Sequence, residues 1–242
     1  MPDSIKYERC TCSQARKYWA DYDFREQQNQ KKRFYRDVIN KHYAQSYMHS
    51  GYNKMNFENF IVTKSNQNEV NIAKDYCHKC IENKQDKGLI ITGKAGVGKT
   101  HLAAAIANKL VEADKITIIG RLSTILDTIK ETFNDNSKSD HQIIDLYSNV
   151  DMIIIDDLGT ETINSWALEK LYTIVQNRIE NGMPLIITTK FNKSGLIERF
   201  SKGKDTEIAE SLISKLDETC YGITLKAKEK VSTSDQLNAN IN

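Results

Sequence analysis

No apolar run in this chain approaches the roughly 20 residues that a bilayer-spanning helix needs. The first ten residues, MPDSIKYERC, carry no apolar core and do not read as a secretory signal, so a cytoplasmic protein with no membrane partner is expected. Cysteine is sparse and odd in number. Cys10 and Cys12 form a C-x-C, Cys77 and Cys80 a C-x-x-C, and Cys220 stands alone. That pattern is no disulfide framework, and a reducing compartment fits it. Internal repeats and low-complexity tracts are absent as well. What remains is 242 residues, 39% hydrophobic and 27% charged, which suits one large domain or an ordinary domain with an extension.

The net charge of +2 says little about partners, but its distribution says more. Residues 1–56 hold 11 Lys/Arg against 6 Asp/Glu, and seven of the 11 tyrosines lie before residue 53. A basic, aromatic segment suits a nucleic acid or an acidic protein surface. It equally suits a helical extension whose aromatics pack and whose lysines are solvated. Residues 13–48 contain neither Gly nor Pro and read as one or two helices; HSGYNKMNFENF then supplies a glycine-containing break.

From about residue 57 apolar runs alternate with amphipathic stretches. LIIT, KITIIG, MIIID, LIITT and YGITL read as strands. Helices are expected over 68–83, 99–111, 121–133 and 164–181, with NDNSKSD a loop and two short helices before YGITL. Apolar strands alternating with helices imply a parallel sheet covered on both faces.

The chemistry is concentrated in GKAGVGKT, Gly93 to Thr100, which fits the phosphate-loop pattern G-x-x-x-x-G-K-S/T between a strand and a helix. Gly93, Gly96 and Gly98 let backbone N–H groups approach phosphate oxygens with no Cβ in the way. The helix opening at Lys99 aims its positive end at the same oxygens. Lys94, Ala95, Val97 and His101 complete the expected nucleotide-binding set. Lys99 is expected to reach the β- and γ-phosphates, and the Thr100 hydroxyl to ligate Mg²⁺. The second motif is MIIIDDLG, residues 152–159: a buried strand ending in two acids. Asp156 is expected beside Mg²⁺, and Asp157 is expected to orient and deprotonate the attacking water. With ATP as ligand, slow hydrolysis is expected, because Asp157 is one methylene shorter than a glutamate.

GKAGVGKTHLAAAIAN followed by MIIIDDLGTE resembles the AAA+ ATPases of the DnaC/DnaI helicase-loader and IstB group. NFENF and LYTIVQNRIENGMPLIITTKFN resemble further parts of that domain. The resemblance covers residues 55–225 well and residues 8–55 weakly. It implies a doubly wound parallel sheet of order 5-1-4-3-2 with a helical N-terminal extension and little or no C-terminal lid. It also implies a task, the placing of a DnaB-like replicative hexamer on single-stranded DNA, with self-assembly on ATP or DNA. The expected organisation is a basic aromatic extension over 1–54, an ATPase domain over 55–228 and a flexible tail over 229–242. In a loader, Tyr18, Trp19, Tyr22, Phe24, Phe34 and Tyr35 would be helicase anchors.

The sequence departs from that family on one side of the nucleotide. The family's sensor strand ends in an asparagine where this chain has Thr189-Lys190, so Thr189, Lys190 and Asn192 are the sensor candidates. Beyond Asp157 only Arg178 and Arg199 are arginines. Arg199 is the first choice for an arginine finger, with Arg178, Lys215 or a partner's residue as alternatives. Weak ATPase activity that assembly, DNA or a partner stimulates is therefore expected. Phe57 and Phe60 either cover the nucleotide or pack on the sheet. Zinc is not expected: Cys10 and Cys12 supply two ligands where four are needed, and Cys77 and Cys80 share a helix face. Two rival functions remain, an IstB-like transposition helper and an ATP-dependent adaptor with negligible turnover.

Overall fold

The computed structural model describes residues 12–42, 51–85, 87–131, 140–201 and 206–227. The chain divides into two units, residues 1–41 and 42–242.

The first unit is carried by one helix, α1 (Ser13–His42). Its length follows from an unbroken run without Gly or Pro. Tyr18, Trp19 and Tyr22 meet edge to face, with centroids 5.2 and 5.7 Å apart. Tyr18, Tyr22 and Phe24 are nonetheless exposed. Cys12 is exposed too, while Cys10 lies outside the described residues.

The second unit is an α/β sandwich. Its helices are α2 (Gln67–Ile81), α3 (Lys99–Glu112), α4 (Leu122–Glu131), α5 (Asp140–Asn149), α6 (Ser165–Glu180), α7 (Lys193–Phe200) and α8 (Thr206–Thr219). Its strands are β1 (Gly88–Gly93), β2 (Thr117–Arg121), β3 (Met152–Asp156), β4 (Leu185–Thr189) and β5 (Cys220–Leu225), all parallel. The order β2-β3-β4-β1-β5 is the expected 5-1-4-3-2 read from the other edge. Runs such as Ile153-Ile154-Ile155 bury both faces, as covered parallel strands require. Leu89, Ile91, Ile154 and Ile186 join the core beneath α2 and α3, whereas Ile90 and Ile187 face α7 and α8.

Three local expectations change. Helix α5 was not expected; Ile143, Ile144, Leu146 and Tyr147 are all buried, so ten residues suffice to form it against α4 and α6. The second strand begins at Thr117, two residues later than KITIIG suggests, because the Lys115 N–H closes the turn after α3 and the Ile116 N–H is taken by the Asp151 carboxylate. Tyr52–Lys54, expected within the N-terminal extension, forms a 3-10 turn in the second unit, with Tyr52 buried in its core.

Candidate functional site

The site begins where β1 stops being a strand. Gly93 has φ 141°, and a Cβ there would lie 2.4 Å from the Leu225 carbonyl oxygen, so only glycine allows β5 to run alongside the turn. Gly98, at φ 101°, is the N-cap of α3, and no side chain caps that helix end. The first-turn N–H groups therefore face the loop with the positive end of the helix behind them. Ala95, Gly96, Gly98, Lys99, Thr100 and His101 line a cavity of about 350 Å³ that Met55, Asp157 and Lys190 complete. Lys94 contributes its carbonyl, and Val97 instead packs on the core.

Lys99 is only 8% exposed, and its ammonium donates to the carbonyls of Gly93 and Lys94, 2.9 Å to each. Burial lowers its pKa; the charges of Asp157 and Asp156 oppose that shift, and Lys190 adds to it. The lysine is thus largely buried at the cavity wall with two acids near it, a cation suited to an anion with several charges.

Asp156 is held from three directions. Thr100 Oγ1 donates to its two oxygens at 2.9 and 3.1 Å, Thr188 Oγ1 to Oδ1 at 2.6 Å and the Tyr52 hydroxyl to Oδ2 at 3.1 Å. Thr188 also accepts from the Asp157 N–H at 2.8 Å, so one hydroxyl ties both acids to β4. Asp157 lies in the left-handed region at φ 55°, which turns the chain sharply off β3 and puts this residue on the cavity wall. A carboxylate beside a hydroxyl is a hard oxygen set that suits Mg²⁺. Among the described residues no three His, Cys, Asp or Glu side chains converge as a separate metal cluster.

The lead-in segment is built onto α3. Asn108 Nδ2 donates to the carbonyls of Tyr52 (2.9 Å) and Met55 (2.5 Å). His101 Nε2 lies 3.0 Å from the Asn56 carbonyl and 2.8 Å from Asn59 Oδ1, both acceptors, so this nitrogen carries the proton. Phe60 packs edge to face on His101 and touches the α-carbon side of Gly98. Phe60 is buried in the core, and Phe57 packs half-buried against it. His101 therefore lines the cavity while anchoring the chain that precedes it.

The other side of the cleft differs from expectation. Thr189 is buried; its hydroxyl donates to the Leu158 carbonyl at 2.7 Å and accepts from the Phe191 N–H. Thr188, not Thr189, addresses the acids, because adjacent strand residues face opposite sides of the sheet. Asn192 Oδ1 caps α7, accepting from the Gly195 N–H at 2.8 Å, and lies outside the phosphate cavity. Its expected sensor role is thereby corrected. Lys190 does line the cavity, with its ammonium 5.3 Å from the centre of the Phe191 ring.

Arg178 is corrected as a finger candidate. It is fully buried, and its guanidinium donates to the carbonyls of Tyr147, Val150 and Pro184, joining α6 to the ends of α5 and the start of β4. Burial brings its pKa down to about 9. Arg199 stacks 4.7 Å from the Phe191 centroid and donates to the Thr160 carbonyl, away from its own chain's phosphate cavity. Lys215 stands over Tyr172. Cys77 and Cys80 are buried on the apolar face of α2, and burial raises their thiols to about 11 and about 12. Glu161, the last residue of the Asp-Asp-Leu-Gly-Thr-Glu run, accepts from the N–H and hydroxyl of Ser123 at the start of α4.

Tyr52, Thr188, Asn108 and Glu161 were not foreseen. Each sits inside a quoted run without a stated role: Tyr52 in HSGYNKMNFENF, Asn108 in GKAGVGKTHLAAAIAN, Glu161 in MIIIDDLGTE and Thr188 in LIITT.

A 5-1-4-3-2 parallel sheet with a glycine-rich phosphate loop after β1 and an acid pair at the end of β3 defines a P-loop α/β protein of the AAA+ class. Residues 52–211 match the model of the bacterial DnaA ATPase domain. The chain is 33% identical over 137 residues to the replicative helicase loader DnaC of Escherichia coli strain K12, covering 56% of this chain and 55% of that protein. It is 27% identical over 145 residues to the helicase loader DnaI of Bacillus subtilis strain 168, covering 60% and 46%. The matches thus span about half the length of these curated relatives. Among solved structures, a DnaI crystal structure superposes with a TM-score of 0.61 at 22% identity, covering 73% of this chain and 93% of that one. AMPPCP-bound DnaA from Aquifex aeolicus gives 0.58 at 18%, covering 77% and 55%. The chain belongs to the AAA+ family of the bacterial DnaA ATPase domain, as a DnaC/DnaI-like member.

Proposed function

We propose that this protein binds and slowly hydrolyses ATP and uses that cycle to load a replicative hexameric helicase onto single-stranded DNA. The observation that carries the reading is the cleft itself, in which Lys99 and Thr100 of α3 and Asp157 just after β3 line one cavity, with Asp156 bonded to Thr100 at its edge. Lys99 leaves the loop carbonyls to pair with the β- and γ-phosphates, while the Gly93–Gly98 backbone and the α3 N-terminus cradle them. Asp156 and Thr100 would hold Mg²⁺, which supplies neutralising charge on the phosphate oxygens. Asp157, whose backbone N–H is held by Thr188, orients the attacking water with its carboxylate and takes up its proton. Lys190 adds a cation on the far wall of the cavity.

The loading role rests on the named relatives, which are loaders, and on the exposed aromatics of α1, which suit a protein partner. Single-stranded DNA as substrate, self-assembly on ATP or DNA, and an arginine finger supplied by Arg199 or by a partner belong to the same proposal. So does the division into an extension, an ATPase domain and a tail. A second reading, an adaptor whose bound nucleotide orders a docking surface with incidental hydrolysis, is favoured by the sensor side, where Asn192 and Arg178 are committed to structure.

The test is ATP-dependent transfer of a purified replicative hexamer onto single-stranded DNA, with a transposase as the competing partner. Transfer by the wild type and its loss in Asp157→Ala supports the loader cycle. Undiminished transfer by Asp157→Ala supports the adaptor, and capture of the transposase alone overturns both.

A further inference from the structure

The acid expected beside Mg²⁺ has a partner that no motif includes. The Tyr52 side chain is buried, and its hydroxyl donates to Asp156 Oδ2 at 3.1 Å across 104 residues of sequence. The other oxygen, Oδ1, is fixed by Thr188 on β4, and Thr100 on α3 bridges the two. Without the phenol, Oδ2 keeps only the longer arm of the bifurcated Thr100 bond, so the carboxylate loses one of its three supports. Tyr52 is itself pinned, since Asn108 of α3 holds its carbonyl and that of Met55, a residue of the cavity wall. One short turn therefore carries both a wall of the cavity and a bond to the acid.

We propose that Tyr52 is a positioning residue for the divalent cation. Its hydroxyl sets the Asp156 carboxylate in the orientation that receives the hydrated metal and ties the lead-in turn, Tyr52–Lys54, to the metal site. Asp156 is the group that meets the hydrated ion, and Tyr52 acts only through it. Residues that orient a metal-addressing group in this way affect metal affinity by about tenfold or more. The inference rests on the ATP reading above.

Tyr52→Phe tests it, since the ring and its packing stay and only the hydroxyl goes. Binding of a fluorescent ATP analogue is titrated with Mg²⁺ from zero, using the full chain, beside wild type and Lys99→Ala. The expected result is a rise of about tenfold in the Mg²⁺ concentration for half-maximal binding, with metal-free binding unchanged. A Mg²⁺ dependence within about twofold of wild type overturns the proposal and leaves the ATP reading intact. Equal weakening with and without metal assigns Tyr52 a purely structural role and also overturns it. If wild type and Lys99→Ala both fail to bind the analogue, the ATP reading falls and takes this inference with it.

Discussion

Asp156, at the end of β3, receives hydroxyl donors from three separate elements, whereas Thr189, at the end of the adjacent β4, turns its own hydroxyl back onto the chain. The same contrast holds for the residues around each. On the phosphate side Lys99, Thr100 and Asp157 all line the cavity. On the sensor side Asn192 caps a helix, Arg199 stacks on Phe191 and Arg178 is sealed in the core, leaving Lys190 as the one expected sensor residue on the cavity wall. Orienting an acid through several buried hydrogen bonds fixes it before any ligand arrives, which favours binding. Turnover also needs charge supplied to the transition state, and a missing arginine there is worth roughly 10³ to 10⁵ in rate. On the proposed reading, a cleft built this way binds its nucleotide and hydrolyses it slowly.

The comparison breaks most visibly at Arg178. If it is a core brace, Arg178→Ala leaves three buried carbonyls without their donor and opens a cavity. The cost is on the order of 3 kcal/mol, and the melting temperature falls by roughly 10 °C. A finger would instead show an unchanged melting temperature and lost turnover, so thermal melting beside an ATPase assay separates the two. A smaller effect is expected at Asn192. Asn192→Ala removes the cap of α7 and should cost about 1 kcal/mol in stability while leaving nucleotide affinity within error. Loss of affinity there would return Asn192 to the site.

Legibility in the sequence followed the same divide. The phosphate side is local: eight consecutive residues and one acid pair, each flanked by apolar strands, so residue type and position sufficed. The five strands were legible for the same reason, as apolar runs bounded by turn residues. Helix α5 was not, because its ten residues follow a polar loop directly and are too few to show a helical period. The choice between Thr188 and Thr189 turns on strand parity, which a single residue of register decides. Tyr52 was one tyrosine among many in a basic segment, and its partner lies 104 residues away. Arg178 looked functional because arginine is scarce after Asp157, yet the three carbonyls that claim it belong to segments that only the fold brings together.

The most direct test pairs equilibrium binding of MgATP with single-turnover hydrolysis, on the isolated wild type and on Lys99→Ala. The account predicts specific binding by the wild type. Lys99→Ala, missing at least one charge-assisted contact, should bind roughly 10- to 100-fold more weakly. Hydrolysis by the isolated protein should stay below about one per second. No difference between the two proteins in binding, or turnover of several per second by the protein alone, would contradict it.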